Sequence, residues 1–264
     1  MTDTSPFRLD GMSALITGAG GGIGRAMVAA FGAAGAVVSG ADRTESALGD
    51  LPLTHRIAAD LENMTATEAA VRRHIEFAGA PDVIVCNAGF TRAETLTDLD
   101  SATWQSEVSI NLNGTYAFAA PIVDAMAARG SGCLIFIASV NALAHFGNPA
   151  YAAAKAGLVA YARAIAVERG QRGIRANVIC PGSVRTPAWD HRFAEDPGLM
   201  DRVMPHYPLG RLVTPAEVAN TAVFLASPGA AGITGAVIPV DAGLTAGNLR
   251  FVEDVLGAGH QDAN

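Results

Sequence analysis

The stretch Ser13-Ala14-Leu15-Ile16-Thr17-Gly18-Ala19-Gly20-Gly21-Gly22-Ile23-Gly24 decides the fold. An apolar run of strand length ends in a glycine-rich turn, and a segment of helical period begins near Ile23. In that setting glycines let backbone amides approach a pyrophosphate at the positive end of a helix dipole. The useful spacing is Gly18, Gly22 and Gly24 rather than GxGxxG, because Ile23 stands where the last glycine of that pattern would fall. A glycine-rich turn alone also reads as a plain loop, so its surroundings must carry the assignment.

Downstream, apolar runs alternate with helical segments almost to the end of the chain, the pattern of parallel βαβ units. Strands are expected near Ser13 to Thr17, Ala36 to Ala41, His55 to Ala59, Asp82 to Cys86, Cys133 to Ala138, Arg175 to Cys180 and Ala236 to Val240. Helices are expected to begin near Ile23, Thr65, Ser101, Tyr151 and Pro215. This predicts an α/β fold: one Rossmann-like, doubly wound, parallel seven-stranded sheet with helices on both faces, forming a single domain over 1–264. Residues 183–212, with Pro187, Pro197, Pro205 and Pro208, interrupt the alternation just after a strand end, where open α/β sheets bind ligands. They read as a substrate lid built from short helical pieces, or as a surface loop. The crossover from Thr44 to Leu53 is short and contains Pro52, so its helix should be one turn or absent.

A formal charge of −7, without a cluster of Lys or Arg, argues against nucleic-acid or anionic-membrane partners and for small molecules or copies of the chain itself. The start of the chain lacks the basic-then-apolar order of a secretory signal, so a cytoplasmic location is expected. Val218 to Val240 is uncharged and long enough for a membrane span, but Pro228, Gly229, Gly232, Gly235 and Pro239 would break such a helix. Cys86, Cys133 and Cys180 adjoin apolar runs and read as small buried hydrophobes rather than a disulfide framework. No histidine spacing suggests a metal site.

Chemistry enters with Asp42, directly after the second apolar run, where a carboxylate can accept hydrogen bonds from ribose hydroxyls and repel a 2′-phosphate. NAD is therefore expected over NADP, with Arg43 the contrary sign. Asp60 either lies near the adenine or caps a strand end. Tyr151 and Lys155, four apart, share one helix face. A phenol is a poor base at neutral pH, and the expectation is that the lysine ammonium lowers its pKa. Ser139 ends a predicted strand and either bonds a substrate oxygen or caps a turn. Asn111, polar within an apolar helical stretch, marks a break that can hold water.

Taken together these residues resemble the short-chain dehydrogenase/reductase family over nearly the whole chain: Gly18, Gly22 and Gly24 fit its TGxxxGxG turn, Asn87-Ala88-Gly89 its NAG, and Asn111, Ser139, Tyr151 and Lys155 its catalytic tetrad. Pro181-Gly182, with Thr186 beyond, is similar to the segment that holds the nicotinamide. The resemblance implies an NAD-dependent oxidoreductase interconverting a secondary alcohol and a ketone. Tyr151 would exchange the proton, Ser139 would fix the reacting oxygen, Lys155 would tune Tyr151 and bind ribose, and Asn111 would anchor a water. The implied cofactor set is Gly18, Gly22, Ile23, Gly24, Asp42, Asp60, Leu61, Asn87, Ala88, Gly89, Tyr151, Lys155, Pro181, Gly182, Val184 and Thr186. Asn87 has a quieter alternative, tying strands together. The family also implies a homotetramer or dimer.

Substrate contacts are expected from Asn141, His145 and Trp189, with Phe90, Arg92, His191 and Arg192 as further candidates. This mixture suits a polyol, sugar or hydroxy acid somewhat better than a steroid. The alternatives are a reductase of an apolar or aromatic ketone, a non-catalytic NAD-binding protein, and a sugar-nucleotide epimerase, for which few residues follow the last predicted strand.

Overall fold

The computed structural model describes residues 5–257. Seven strands, β1 (Ser13–Thr17), β2 (Val37–Asp42), β3 (Arg56–Ala58), β4 (Val83–Cys86), β5 (Gly132–Ile137), β6 (Ile174–Pro181) and β7 (Val237–Val240), form one sheet in the order β3-β2-β1-β4-β5-β6-β7. Every pairing is parallel. The order reverses between β1 and β4, so the crevice beyond their carboxyl ends is the switch point where such sheets bind ligands.

Alternation along the strands sends side chains to two separate cores. Ile16, Val85 and Ile135 pack with Met27 and Phe31 of α1 (Gly22–Ala33) and with Val218 and Leu225 of α8 (Pro215–Ala226). Leu15, Ile84, Leu134 and Phe136 face the other way, toward α2 (Met64–Ala78), α4 (Gly114–Arg129) and α5 (Pro149–Arg169), meeting Val71, Phe118, Ile122, Met126 and Leu158. Each fully buried Leu or Phe contributes about 1.5–3 kcal/mol, so both faces must be covered, as a doubly wound sheet requires. Cys86, Cys133 and Cys180 are buried and unpaired within these cores.

Several local details differ from the sequence reading. Asp42 is the last residue of β2 rather than the first after it, and β3 keeps only three residues. The predicted helix at Ser101 runs on: α3 (Ser101–Val108) passes through a π-helical turn, Ser109–Asn113, into α4. Asn111 does not end the helix but widens it. α5 starts at Pro149, whose missing N–H costs nothing at the first helical position. The Thr44–Leu53 crossover holds a single 3₁₀ turn, Glu45–Leu48, as its proline suggested. Residues 183–212 contain two short helices, α6 (Pro187–Glu195) and α7 (Leu199–Val203). The uncharged stretch from Val218 divides into most of α8, a 3₁₀ turn at Pro228–Ala230 and β7, and no helix among the described residues is long and apolar enough to cross a membrane. A last helix, α9 (Leu249–Leu256), follows β7.

Candidate active site

The glycine turn is shaped by contacts that allow no larger residue. A Cβ on Gly24 would lie 2.0 Å from the Gly18 carbonyl oxygen, and Gly18 itself has φ +62° and sits against the Ala88 backbone. These residues close the β1–α1 turn onto the end of β4. Asn87 locks that junction by donating to the carbonyls of Thr17 and Gly18, while its own N–H donates to the Thr17 hydroxyl. The strand-tying role is thus present in the structure.

Asp42 faces the turn from the end of β2. Its Oδ2 accepts from the Gly20 N–H at 3.0 Å and its Oδ1 from the Arg43 N–H at 2.8 Å, whereas the Arg43 side chain is exposed. The turn, the dipole of α1 and this fixed carboxylate suit a dinucleotide: amides for the pyrophosphate, an acceptor for the ribose hydroxyls. The crowding at Gly22, where a Cβ would meet Thr186 Cγ2 at 2.9 Å, brings the start of the 183–212 segment onto the same turn. Asp60 accepts from the Glu62 N–H, a local turn contact, and Leu61 packs beneath Gly114.

From Ile23 a cleft of about 910 Å³ runs across the carboxyl ends of the strands. Asn87, Gly89, Ser139, Asn141, Tyr151, Lys155, Pro181, Gly182, Val184, Thr186, Trp189, Phe90 and Arg192 line it, so chain segments far apart in sequence converge there. His145, His191 and Arg92 do not. His145 is exposed, His191 pairs with Glu195 at 3.2 Å, and Arg92 stacks over Phe90. Asn111 is fully buried behind the wall, where its amide accepts from the Phe90 N–H and donates to the carbonyls of Phe90 and Glu107.

Phe146 and Asn148, in the loop between Ser139 and Tyr151 that bears on substrate shape, also line the cleft, and sequence reasoning missed Glu94, Val203, His206, Tyr207 and Leu244, which do so too. Asn148 carried a usable signal, being polar directly before the proline that opens α5. It adopts φ +50° and crosses to the loop after β4, donating from its side chain to the Ala93 carbonyl and from its backbone N–H to that of Glu94. The missed residues lie in segments without periodicity, and nothing local marks them.

The electrostatics correct one expectation. Lys155 Nζ donates to the Ile137 carbonyl at 2.8 Å and lies 5.4 Å from the centre of the Tyr151 ring. Burial dominates: the Tyr151 phenol is pushed up to about 12, with the Ser139 hydroxyl bond pulling it down and Cys180 and Glu107 raising it further. Burial likewise pulls Lys155 down to about 8, the neighbouring Cys86 and Cys180 opposing that shift. Both groups are thus biased toward their neutral forms. The resulting constellation is a half-buried phenol, a serine hydroxyl and a lysine at one end of an open cleft, arranged to trade a proton with an oxygen placed beside them.

Comparison with known proteins agrees with this geometry. A family model described as enoyl-(acyl carrier protein) reductase matches residues 18–245. A crystal structure of a short-chain dehydrogenase/reductase family oxidoreductase from Burkholderia thailandensis superposes with a TM-score of 0.85 at 40% identity, covering 93% of this chain and 97% of that one. The chain belongs to the short-chain dehydrogenase/reductase family. It is an oxidoreductase acting on CH–OH groups and their carbonyl counterparts. Within the family it is 34% identical to galactitol 2-dehydrogenase (L-tagatose-forming) of Cereibacter sphaeroides, over 90% of this chain and 97% of that protein. A gluconate 5-dehydrogenase from Burkholderia cenocepacia, solved with NADP and tartrate, shares 30% identity and a TM-score of 0.86, over 92% of this chain and 98% of its own. The family uses NAD or NADP.

Proposed function

We propose that this protein is an NAD-dependent dehydrogenase interconverting a secondary alcohol and a ketone on a hydroxyl-rich substrate, a polyol, sugar or hydroxy acid, with Tyr151 as acid/base. The convergence of Tyr151, Ser139 and Lys155 on one cleft that also reaches the glycine turn carries this reading. When bound, the nicotinamide accepts or returns the hydride. Tyr151 takes the proton from the alcohol or gives it to the forming alkoxide, and Ser139 holds that oxygen in place. Lys155, held by the Ile137 carbonyl, reaches ribose and passes protons inward, toward the side where Asn111 is buried. Burial raises Tyr151 and so keeps the phenol protonated in the free protein, the form that gives a proton to a forming alkoxide, whereas oxidation of an alcohol requires the phenolate.

NAD is the preferred cofactor in this reading because the Asp42 carboxylate is fixed beside the turn, where it repels a 2′-phosphate. Gly18, Gly22, Ile23 and Gly24 cradle the pyrophosphate, Asn87, Ala88 and Gly89 flank the ribose, and Pro181, Gly182, Val184 and Thr186 hold the nicotinamide, with Asp60 and Leu61 toward the adenine. Residues 183–212 act as a lid, supported by the position of Trp189, Arg192, Val203 and His206 on the cleft wall. The enzyme works as a homotetramer or dimer in the cytoplasm. Thr91, Glu94, Asn141, Asn148, Arg192 and His206 supply the polar contacts that hydroxyl-bearing substrates require, and relatives named for galactitol and gluconate support that class. Phe90, Phe146, Trp189 and Leu244 favour a second reading, an aromatic or alicyclic ketone as substrate.

The test is a panel of galactitol, gluconate, tartrate and an aromatic alcohol, each with NAD and with NADP, scored by formation of reduced cofactor. Turnover of a polyol or sugar acid with NAD preferred is expected; turnover of the aromatic alcohol alone, or with NADP alone, contradicts the assignment.

A further inference from the structure

Glu94, in the loop after β4, and Arg192, on α6, are charged side chains of the cleft wall that the proton exchange does not use. Arg192 Nη2 and Glu94 Oε1 lie 3.6 Å apart, so the pair joins the two chain segments. Each side chain has a fixed base. The Ala93 N–H donates to Glu107 Oε1, the Ala93 carbonyl accepts from the Asn148 side chain, and the Glu94 carbonyl accepts from the Asn148 N–H. The backbone carrying Glu94 is thereby held from α3 and from the start of α5. On α6, Trp189, Arg192 and Phe193 stand at the spacing that puts them on one helix face. Trp189 and Phe193 pack against the core with ring centres 5.4 Å apart, and the Arg192 guanidinium lies 4.8 Å over the Trp189 ring.

At 3.6 Å the two groups attract without the direct contact of a charged hydrogen bond, which closes to about 2.7–2.9 Å. Neither side chain makes a hydrogen bond among the described residues, and with side-chain exposures of 48% for Arg192 and 68% for Glu94 the pair adds little to stability. What it sets is the charge of the wall. The carboxylate and basic side chains lining the cleft, among the described residues, are Glu94, Lys155, Arg192 and His206. Lys155 is buried and committed to the Ile137 carbonyl. Glu94 stands against Arg192, which leaves that stretch of wall close to neutral while it keeps the acceptors of a carboxylate and the donors of a guanidinium. A hydroxyl donates and accepts at once, so adjacent hydroxyls of an uncharged ligand bond both partners and leave their charges compensated. A ligand carboxylate must instead take Arg192 from Glu94, and it then lies beside an uncompensated like charge.

We propose that Glu94 and Arg192 form a charge-compensated subsite that takes neighbouring hydroxyls of an uncharged polyol or sugar and discriminates against the matching acid. This rests on the cleft being the substrate cleft of a dehydrogenase for hydroxyl-rich compounds, and it narrows that class to its neutral members. The role of the pair is specificity: proton exchange stays with Tyr151, and Glu94 and Arg192 read the charge of what is bound. His206, the remaining basic group on the wall, is common to every variant below, so its contribution cancels in their comparison.

Galactitol and galactonate, which share a carbon chain and differ in a terminal carboxylate, are titrated by calorimetry into the protein saturated with NADH, or with NADPH if that binds more tightly. A reduced cofactor cannot oxidise an alcohol, so binding is read without turnover. Wild type should bind galactitol roughly three- to fivefold more tightly than galactonate. Glu94→Gln keeps an acceptor and releases the Arg192 charge, so galactonate should gain and the preference should fall by roughly the same factor. Arg192→Gln leaves the Glu94 charge uncompensated and should raise the preference by a similar factor, and the double variant, again without net charge, should return it to near the wild-type value. Preferences that do not move in opposite directions in the two single variants, a wild type that prefers galactonate, or binding of neither compound overturns the proposal. Failure of either single variant to fold by circular dichroism also overturns it, since the exposed pair would then be structural. The turnover panel keeps the two readings apart: a working dehydrogenase whose preference does not respond loses the subsite alone, whereas preferences that respond as expected in a protein that oxidises no polyol leave the subsite and remove the reaction.

Discussion

Replacing Lys155 with methionine should remove activity and yet stabilise the protein at neutral pH. The lysine is 1% exposed and burial pulls its pKa from 10.5 to about 8. Each unit corresponds to about 1.4 kcal/mol, so keeping this ammonium buried costs about 3 kcal/mol at pH 7. Against that stands its bond to the Ile137 carbonyl, worth roughly 1–2 kcal/mol once the acceptor is left buried. The net expectation for Lys155→Met is a gain of about 1–2 kcal/mol and a rise of a few degrees in Tm. The pH dependence identifies the cause. Between about 8 and 10.5 the unfolded chain binds the proton and the folded chain does not, so wild-type stability rises with pH across that window. The methionine protein lacks that rise. Its advantage is complete below about 8 and gone above 10.5, where the lost hydrogen bond leaves it the weaker of the two. Tyr151, raised to about 12, loses stability for both proteins above pH 10 and cancels in the comparison. Urea unfolding of cofactor-free wild type and variant at several pH values measures the difference. A methionine variant less stable than wild type at pH 7, or an advantage that does not change with pH, refutes the reasoning.

Two further substitutions test the cofactor end. Asp42→Asn keeps the bond from the Gly20 N–H but removes the charge, and should lower the ratio of kcat/KM with NAD to that with NADP by about tenfold; an unchanged ratio means the carboxylate does not set the preference. Gly24→Ala forces a Cβ to 2.0 Å from the Gly18 carbonyl, backbone that cannot swing aside, and should cost about 3 kcal/mol or more in urea unfolding. A midpoint equal to wild type would show that the turn is more pliable than drawn.

How much of this was legible beforehand depends on whether a residue's role is local. The strand, glycine turn and helix around Gly18 to Gly24 are set by short-range sterics, and they stand as read. The single parallel seven-stranded sheet follows from βαβ repetition, because each apolar run must be covered on both faces, whereas the strand order is read only from the structure. Tyr151 and Lys155 share a face by helix geometry alone. What was not legible is long-range. Glu107 reads as an ordinary charged position on a helix, and only the return of the 91–93 loop buries it. The π turn at Asn111 gives no periodic sign beyond a polar residue in an apolar stretch. The effect of Lys155 on Tyr151 was inferred from spacing, yet which of two opposing effects prevails is decided by burial, a property of the whole fold.

The account stands on Tyr151 exchanging a proton with the substrate oxygen while the cofactor lies alongside. Its most direct test is Tyr151→Phe, assayed for reduced-cofactor formation on whichever polyol or sugar acid the wild type oxidises and, separately, for NAD affinity by fluorescence titration. Loss of turnover by roughly 10²–10⁴-fold with affinity within a few-fold of wild type is expected. Undiminished turnover, or a loss explained entirely by failure to bind NAD, contradicts the role given to that phenol.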